Sequence, residues 1–336
     1  MSSSRLPDFI YLRPRTIEDL LSLLDEHKSE VTLLAGGTEL LVRMRQRLCA
    51  PQYVISLNGV AGLDYVKHDE NTGLSIGPLT TIYSLVNSSV IRERYTVLSQ
   101  AARQISAIPL QYTSTVGGNL CIDTRCIFYN QSSDWSKVRP PCFKRGGNIC
   151  HAVKGSNHCH SVYQGDLAPA LIALAAKVKI NRKNGEKIIP LNEFFANSGE
   201  NPNLLQPNEV ITEIQLPPPA KNSTDSYQKL RIRQAIDFPL AAVAVVLDMD
   251  KDGVCRKAKF VLGAITAAPV EVTAADRIFN GRKIDNNLID QAAEEAFKAA
   301  HPVDNLSIDA GYRRKMVRVL TRRAIGKALS GWRGNQ

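Results

Sequence analysis

The chain has 336 residues, 44% hydrophobic and 22% charged, with a net charge of +10 at neutral pH; it is long enough for more than one domain with its own core, and this balance excludes wholesale disorder. Its longest apolar run, around Leu167 to Val178, is too short for a bilayer span and contains Pro169, and the opening MSSSRLPDF lacks the apolar core of a secretory signal. A cytoplasmic protein with no membrane segment is expected, in a compartment where clustered cysteines point to metal or redox chemistry before disulfides.

Thr16 to His27 (TIEDLLSLLDEH) reads as a helix with Thr16 as N-cap and acids in its first turn. Val31 to Ala35 is an apolar strand running into Gly36-Gly37-Thr38, a helix begins near Glu39, and a strand is expected at Tyr53 to Leu57. Asp69 to Gly73 (DENTG) separates two strand-like runs as a hairpin turn would, and Val90 to Ser106 reads as helix. Ala168 to Lys177 reads as helix, followed by a hairpin, VKINRKNGEKIIPL, turning at Asn184-Gly185. LPPPAKNSTDS (Leu216 to Ser226) is the expected linker. Strands are then predicted at Tyr227 to Ile232, Ala241 to Met249 and Lys257 to Leu262, with a turn at Asp250 to Gly253 and helices over Asn287 to Ala300 and Ala310 to Leu329. Mixed helices and hairpins argue for an α+β fold.

The last helix carries much of the positive charge: Arg313, Arg314, Lys315, Arg318, Arg322, Arg323, Lys327 and, beyond it, Arg333. Met316, Val319, Leu320, Ala324 and Ala328 recur among them at helical spacing, which suits a packed helix with a basic outer face. No aromatic platform or nucleic-acid fold accompanies it, so no nucleic-acid partner is expected.

Two stretches could approach an anion closely. LLAGGTEL (Leu33 to Leu40) and TSTVGGNL (Thr113 to Leu120) each place a Gly-Gly pair and a threonine at a helix start. Neither fits the dinucleotide or P-loop fingerprints.

Residues 119–159, NLCIDTRCIFYNQSSDWSKVRPPCFKRGGNICHAVKGSNHC, hold five of the seven cysteines: Cys121, Cys126, Cys142, Cys150 and Cys159. Around them Arg125, Lys137, Arg139, Lys144, Arg145 and Lys154 outnumber Asp123 and Asp134. A loop this long without its own core needs a staple. Zinc favours close C-x2-C pairs, whereas the gaps here are x4, x15, x7 and x8. An iron–sulfur cluster accepts varied spacing, needs four thiolates, and has its charge offset by the surrounding cations. The residues themselves leave open whether Cys121 or Cys126 is the fourth ligand. His151, His158 and His160 read as solvated or hydrogen-bonding neighbours.

LLAGGTELL, IGPLTT, TVGGNL and GDLAPALIAL, in that order, followed by YQKLRIRQAIDFPLAAVAV and YRRKMVRVLTRRA, resemble the FAD-binding medium subunit of the xanthine oxidase family of molybdenum hydroxylases. The resemblance implies a two-lobed α+β FAD-binding domain of the vanillyl-alcohol-oxidase type over residues 1–218 and a C-terminal α+β domain over 226–332. The family's FAD contacts carry over onto Leu34, Ala35, Gly36, Gly37, Thr38, Glu39, Leu40, Thr80, Thr115, Gly117, Gly118 and Asn119. Asp166 would lie toward the ribose or adenine, and Lys229 near the isoalloxazine ring unless it is a solvated strand lysine.

Asn119 and Asp166 stand close together in the family's pattern and far apart here, which marks 121–165 as an insertion. NLCIDTRCIFYNQS with the later cysteines resembles the β-subunit family of 4-hydroxybenzoyl-CoA reductases. That resemblance implies a 4Fe–4S cluster on Cys126, Cys142, Cys150 and Cys159, with Cys121 a fifth thiol. It also implies a molybdopterin-containing large subunit, a small subunit with two 2Fe–2S clusters, a dimer of such heterotrimers, and ferredoxin as donor. No catalytic residue is expected in this chain. Rival expectations are the FAD subunit of a hydroxylating aromatic or heterocycle dehydrogenase, and a zinc-stabilised FAD-binding or scaffold module.

Overall fold

The computed structural model describes residues 5–332; the first four residues and residues 333–336, Arg333 among them, lie outside the described residues. β1 (Ile10–Leu12) leads to α1 (Ile17–His27), where the Thr16 hydroxyl accepts the Asp19 N–H at 3.1 Å, the expected cap. β2 (Val31–Leu34), α2 (Leu40–Arg45) and β3 (Tyr53–Ser56) follow, and the strands pair in parallel in the order β1-β3-β2. Leu20, Leu21 and Leu24 share one face of α1 and pack with Ile55 and Leu57 beneath it.

β4 (Val66–Asp69) and β5 (Gly73–Ile76) form the expected hairpin, the Asp69 carboxylate accepting the N–H groups of Asn71 and Thr72. α3 (Ile82–Asn87), α4 (Ser89–Arg94) and α5 (Thr96–Arg103) come next. The single helix expected from Val90 to Ser106 is thus two, broken at Tyr95, whose backbone leaves the helical region (φ −129°, ψ 55°) and whose ring is buried in the core. Burial of that ring outweighs local helix propensity. Short α6 (Ile108–Gln111), α7 (Val116–Leu120) and α8 (Ser133–Lys137) precede α9 (Leu167–Ala173). α9 stops short of the expected Lys177 because Ala175 turns left-handed (φ 58°), which frees Lys177 to open β6 (Lys177–Arg182). β6 pairs with β7 (Gly185–Pro190) about a two-residue turn, Lys183-Asn184, one residue earlier than expected. With β8 (Val210–Leu216) these strands complete an antiparallel sheet, β4-β5-β8-β6-β7.

The linker is shorter than the sequence suggests. Ser223 to Ser226 belong to β9 (Ser223–Leu230), where pairing with β10 (Ala241–Met249) satisfies their backbone groups. β11 (Val254–Gly263), β12 (Val270–Glu271), α10 (Ala274–Phe279), β13 (Arg282–Lys283), α11 (Asn286–Ala299) and α12 (Ala310–Gly331) complete the chain, the strands in the order β12-β11-β10-β9 with β13 beside β11. Val243, Val245 and Leu247 of β10 pack with Val317, Leu320 and Ala324 of α12. Ala242 and Ala244 face the other way, into the core that holds α9. Burial on both faces explains why this strand reads as unbroken apolar sequence. The α+β expectation holds.

α12 corrects the sequence reading of its faces. Leu320, Ala324 and Ala328 are buried as expected and Val317 and Ile325 join them, whereas Met316 and Val319 are only partly covered. Arg313, counted above as part of a basic surface, is 0% exposed. Its guanidinium donates to the carbonyls of Leu240 (2.9 Å), Val303 (3.0 Å) and Ala264 (2.8 Å), tying the ends of β10 and β11 to the loop before α12. Burial pulls its pKa down to about 10, against the attraction of Asp304, so it stays charged at neutral pH. Arg318 and Arg322 pair with Glu294 and Asp290 of α11, so part of the outer basic face is answered within the fold. Replacing Arg313 by Met strands several buried acceptors, each worth about 1–3 kcal/mol. Arg313→Met is therefore expected to lower unfolding stability by about 3 kcal/mol or more in urea titrations; a loss under about 0.5 kcal/mol, the scale of an ordinary surface substitution, would contradict this role.

Candidate cofactor-binding site

The two glycine stretches meet. Gly36 lies so close to the second loop that a Cβ built on it would stand 1.8 Å from the Thr113 carbonyl oxygen. The Ser114 and Thr38 hydroxyls approach to 3.3 Å across the same junction. Thr115 caps α7 by accepting the Gly118 N–H at 3.1 Å, and Gly117 is pressed on Pro78, leaving no room for a side chain. The helices that follow, α2 and α7, have only six and five residues. What the first loop offers an anion is therefore local N–H groups more than a long helix's dipole, whereas in the second the N–H groups of Val116 to Asn119 already donate to Thr80, Pro78 and Thr115.

The other expected contacts divide by environment. Leu40 is buried in a small core that Leu34 borders. Thr80 lies beneath the second loop: its hydroxyl donates to the Tyr65 carbonyl at 2.8 Å, and its own carbonyl accepts the Val116 N–H at 3.0 Å. Ala35 offers its carbonyl to the Asn58 side chain at 3.3 Å. Glu39 forms an ion pair with Arg125, whose guanidinium also lies 3.9 Å from the centre of the Phe238 ring. Asn119 accepts the Leu167 N–H on its side-chain oxygen at 3.1 Å, so the two ends of the cysteine-rich segment are held together at α9.

Asp166 and Lys229 form one buried ion pair at 3.0 Å, their side chains 5% and 0% exposed. Tyr227 also donates to Asp166 at 2.8 Å, and Lys229 spends its other donors on the carbonyls of Gln104 (3.0 Å) and Asp237 (2.9 Å). Burial raises the Asp166 carboxyl and lowers the Lys229 ammonium, each shift opposed by the partner's charge. Lys229 is therefore not a solvated strand lysine; it fastens β9 to the start of α9.

The cysteine-rich segment closes where Arg125 and Val162 exchange backbone hydrogen bonds, both 2.8 Å. Within it Cys126, Cys142, Cys150 and Cys159 line one cavity, together with Tyr129, Phe143, Ile149 and Ser161 among others. The chain reaches this arrangement through local turns. The Cys126 N–H donates to the Asn130 side chain at 2.9 Å. The Cys142 carbonyl accepts the N–H groups of Arg145 and Gly147, and Phe143 N–H reaches Ile149, folding 142–149 into a tight loop that returns Cys150 toward Cys142. A Cβ at Gly147 would collide with the Pro141 carbonyl at 1.7 Å, so only glycine fits. Cys159 lies against Gly199, a residue outside the insertion. Burial raises the Cys126 thiol to about 11, against the N–H groups of Phe128 and Tyr129, and raises Cys159 as well. Free, both thiols stay protonated at neutral pH; a bound cation reverses that balance. Cys121 is exposed at the end of α7 and is not among the residues lining the cavity.

Sequence reasoning missed what moors this pocket. Lys144, between two cavity cysteines, is buried and bonds to Asp123 (2.5 Å), to the Thr124 carbonyl (3.1 Å) and to the Gly199 carbonyl (2.9 Å). Asp123 also pairs with Arg43 of α2 at 2.8 Å. The Asn305 carbonyl accepts the Ile127 N–H at 2.9 Å and its side chain donates to the His160 carbonyl, joining the cysteine-rich segment to the C-terminal domain. Of the six cations counted in this stretch, Arg125 and Lys144 are thus engaged inside, and Arg145 donates to the Tyr129 carbonyl; Lys137, Arg139 and Lys154 face solvent. His151, His158 and His160 each meet a hydrogen-bonding partner, Pro140, Asn157 and Ser156. Among the described residues no three His, Cys, Asp or Glu side chains converge closely enough to hold a single metal ion.

The FAD-binding domain of molybdopterin dehydrogenases matches residues 7–219, and the C-terminal domain of CO dehydrogenase flavoproteins matches 225–328. The chain belongs to the FAD-binding medium subunits of the molybdenum hydroxylase family. It is 26% identical to the carbon monoxide dehydrogenase medium chain of Afipia carboxidovorans over 321 residues, 95% of this chain and 96% of that one. It is 31% identical to the aldehyde oxidoreductase FAD-binding subunit PaoB of Escherichia coli over 258 residues, 72% of this chain and 77% of that one. The fold matches a chain of the carbon monoxide dehydrogenase of Hydrogenophaga pseudoflava, in a form lacking the Mo-pyranopterin moiety, with a TM-score of 0.82, 24% identity, and coverage of 98% and 100%. This molybdenum hydroxylase family member is accordingly an oxidoreductase subunit, with an FAD-binding domain followed by a C-terminal domain. Among its described residues no helix is long and apolar enough to cross a membrane.

Proposed function

We propose that this chain is the FAD and 4Fe–4S electron-transfer subunit of a molybdenum enzyme most like the 4-hydroxybenzoyl-CoA reductases. The observation that carries the reading is that four cysteines, spread over 34 residues of sequence from Cys126 to Cys159, face one cavity moored to α2 behind the first glycine loop. When bound, FAD takes two electrons and releases them singly, and the cluster carries one at a time. The residues fit both groups. The loops Leu34 to Leu40 and Thr115 to Asn119 meet with no side chain at their glycines, and the first loop would supply the backbone N–H groups for a pyrophosphate, since those of Val116 to Asn119 already donate to Thr80, Pro78 and Thr115. Asp166 and Lys229 are in contact at the start of α9, so the expectation of Asp166 at the ribose or adenine and Lys229 at the isoalloxazine ring does not hold for both; near the ring, the Lys229 charge would favour the anionic reduced flavin.

A single zinc holds its sulfurs at about 2.3 Å, within about 4 Å of one another. Among the described residues no three of these side chains converge on a single point, which suits a larger inorganic core better than one zinc ion. Tyr129, Phe143 and Ile149 give the cysteine cavity apolar walls, which exclude water from a redox centre. The substrate chemistry belongs to a molybdopterin-containing large subunit, and a small subunit with two 2Fe–2S clusters completes the heterotrimer, itself paired into a dimer. Ferredoxin is the donor; Lys137, Arg139 and Lys154 give the insertion a basic outer face for an acidic protein.

The names of the relatives, a dehydrogenase and an aldehyde oxidoreductase, favour a second reading. In it the chain serves a hydroxylating aromatic or heterocycle dehydrogenase, and electrons leave the molybdenum subunit through it.

The test is anaerobic purification followed by a visible spectrum with iron, sulfide, zinc and flavin analysis. A brown protein with one flavin and about four irons is expected. Stoichiometric zinc, or flavin without iron, overturns the cluster. Reduction of 4-hydroxybenzoyl-CoA by the complex with reduced ferredoxin then decides between the two directions.

A further inference from the structure

We infer that Ser161 donates a hydrogen bond from its hydroxyl to a sulfur of the metal-loaded cysteine cavity and thereby raises the potential of the centre bound there. The inference rests on the cluster reading above and names a residue that it leaves without a role. Ser161 is 2% exposed and lines the same cavity as the four cysteines; its hydroxyl makes no well-formed hydrogen bond, and what it faces is the Cys159 thiol, whose pKa it holds down against burial. A buried hydroxyl left unpaired is costly, so such a position calls for a partner that arrives with the ligand.

The surroundings point to sulfur as that partner. The Ser161 N–H already donates to the Cys159 sulfur at 3.4 Å, which fixes the residue beside that atom. The nearby Gly199 carbonyl is taken by Lys144 and by the Thr124 hydroxyl. Gly199 itself closes the far side, since a Cβ there would stand 2.6 Å from the Ser161 nitrogen and 2.8 Å from the Cys159 sulfur. What remains for the hydroxyl is the cavity: the Cys159 thiolate or an inorganic sulfide beside it. Hydrogen bonds to cluster sulfurs stabilise the more negative, reduced form and so raise the potential. Ser161 is a positioning and tuning residue, not a ligand.

The experiment compares wild type, Ser161→Ala and Ser161→Thr, purified anaerobically as the complex, by iron content, the electron paramagnetic resonance signal of the reduced cluster, and a redox titration. Ser161→Ala is expected to keep its iron and shift the midpoint downward. At a fixed ambient potential its reduced-to-oxidised ratio should fall about tenfold, which is 59 mV for a one-electron couple. Threonine keeps the hydroxyl and is expected to restore the wild-type midpoint. An alanine variant with full iron and an unmoved midpoint overturns the inference, as it would if only a water met this hydroxyl. If alanine prevents iron uptake, the threonine variant decides: a midpoint displaced from wild type overturns the inference, and an unchanged one supports it. Wild-type protein without iron removes the cluster reading and this role together, an outcome distinct from the failure of Ser161 alone.

Discussion

Gly36→Ala is expected to strip the protein of most of its flavin while leaving the iron of the cysteine cavity in place. The added methyl would sit 1.8 Å from the Thr113 carbonyl oxygen and 2.6 Å from its carbon, backbone atoms of the facing loop that cannot rotate away. Either the loops separate or the backbone of one is displaced, and both outcomes misplace the N–H groups proposed to meet the pyrophosphate. Such overpacking costs about 1–3 kcal/mol in an ordinary core; spent on a binding site, that is roughly a tenfold or greater loss of affinity. Gly36 is not among the positive-φ residues, so the effect is steric and not conformational. The control is Gly326→Ala in α12, where nothing lies within 4 Å of the new methyl; it should leave flavin content unchanged and slightly favour the helix. The measurement is flavin per chain, with a dissociation titration. A Gly36→Ala protein holding a full complement of flavin would mean that the junction of the two loops is not where the cofactor sits.

Much of this arrangement is legible in the sequence where the signal is local. Thr16 before an amphipathic run, DENTG between two strands, and the β-branched run of β10 each carry their own instruction, and each forms as read. The failures share a cause: a residue whose environment comes from a distant part of the chain. Tyr95 breaks a helix because its ring is needed in the core. Ser223 to Ser226 look like linker by composition and are strand because β10 pairs with them. Arg313 sits in a row of exposed-looking cations, and only the carbonyls of Leu240, Ala264 and Val303, remote in sequence, reveal it as internal. At the site the glycine pairs and the group of five cysteines announce themselves by type, while the choice of Cys126 over Cys121 comes only from the resemblance. Their supports, Gly199 under Cys159 and Asp123 between Arg43 and Lys144, could be found only once the chain was folded. A lone glycine in ANSGEN and an aspartate beside a cysteine carry no periodicity to betray them.

Those supports also determine what the loss of a cysteine should do. In Cys142→Ser the iron and sulfide are expected to fall to below about a tenth of wild type, with flavin retained, because a neutral hydroxyl is a poor ligand for iron where a soft thiolate is wanted. The backbone around position 142 does not depend on sulfur: its carbonyl accepts Arg145 and Gly147, and Phe143 reaches Ile149, so serine keeps the loop. The cavity's moorings are equally indifferent to the ligand. Lys144 still meets Asp123, Asp123 still meets Arg43, and Arg125 still meets Glu39 beside the first glycine loop. Loss of iron should therefore not propagate to the flavin. Cys121→Ser, at a residue not among those lining the cavity, is expected to keep both cofactors and serves as the matched control. Retention of full iron and sulfide in Cys142→Ser would refute the ligand set. Loss of flavin along with iron would show that the polar chain from Lys144 to α2 transmits the state of the cavity to the glycine loop, and the two cofactor sites could no longer be treated as separately built.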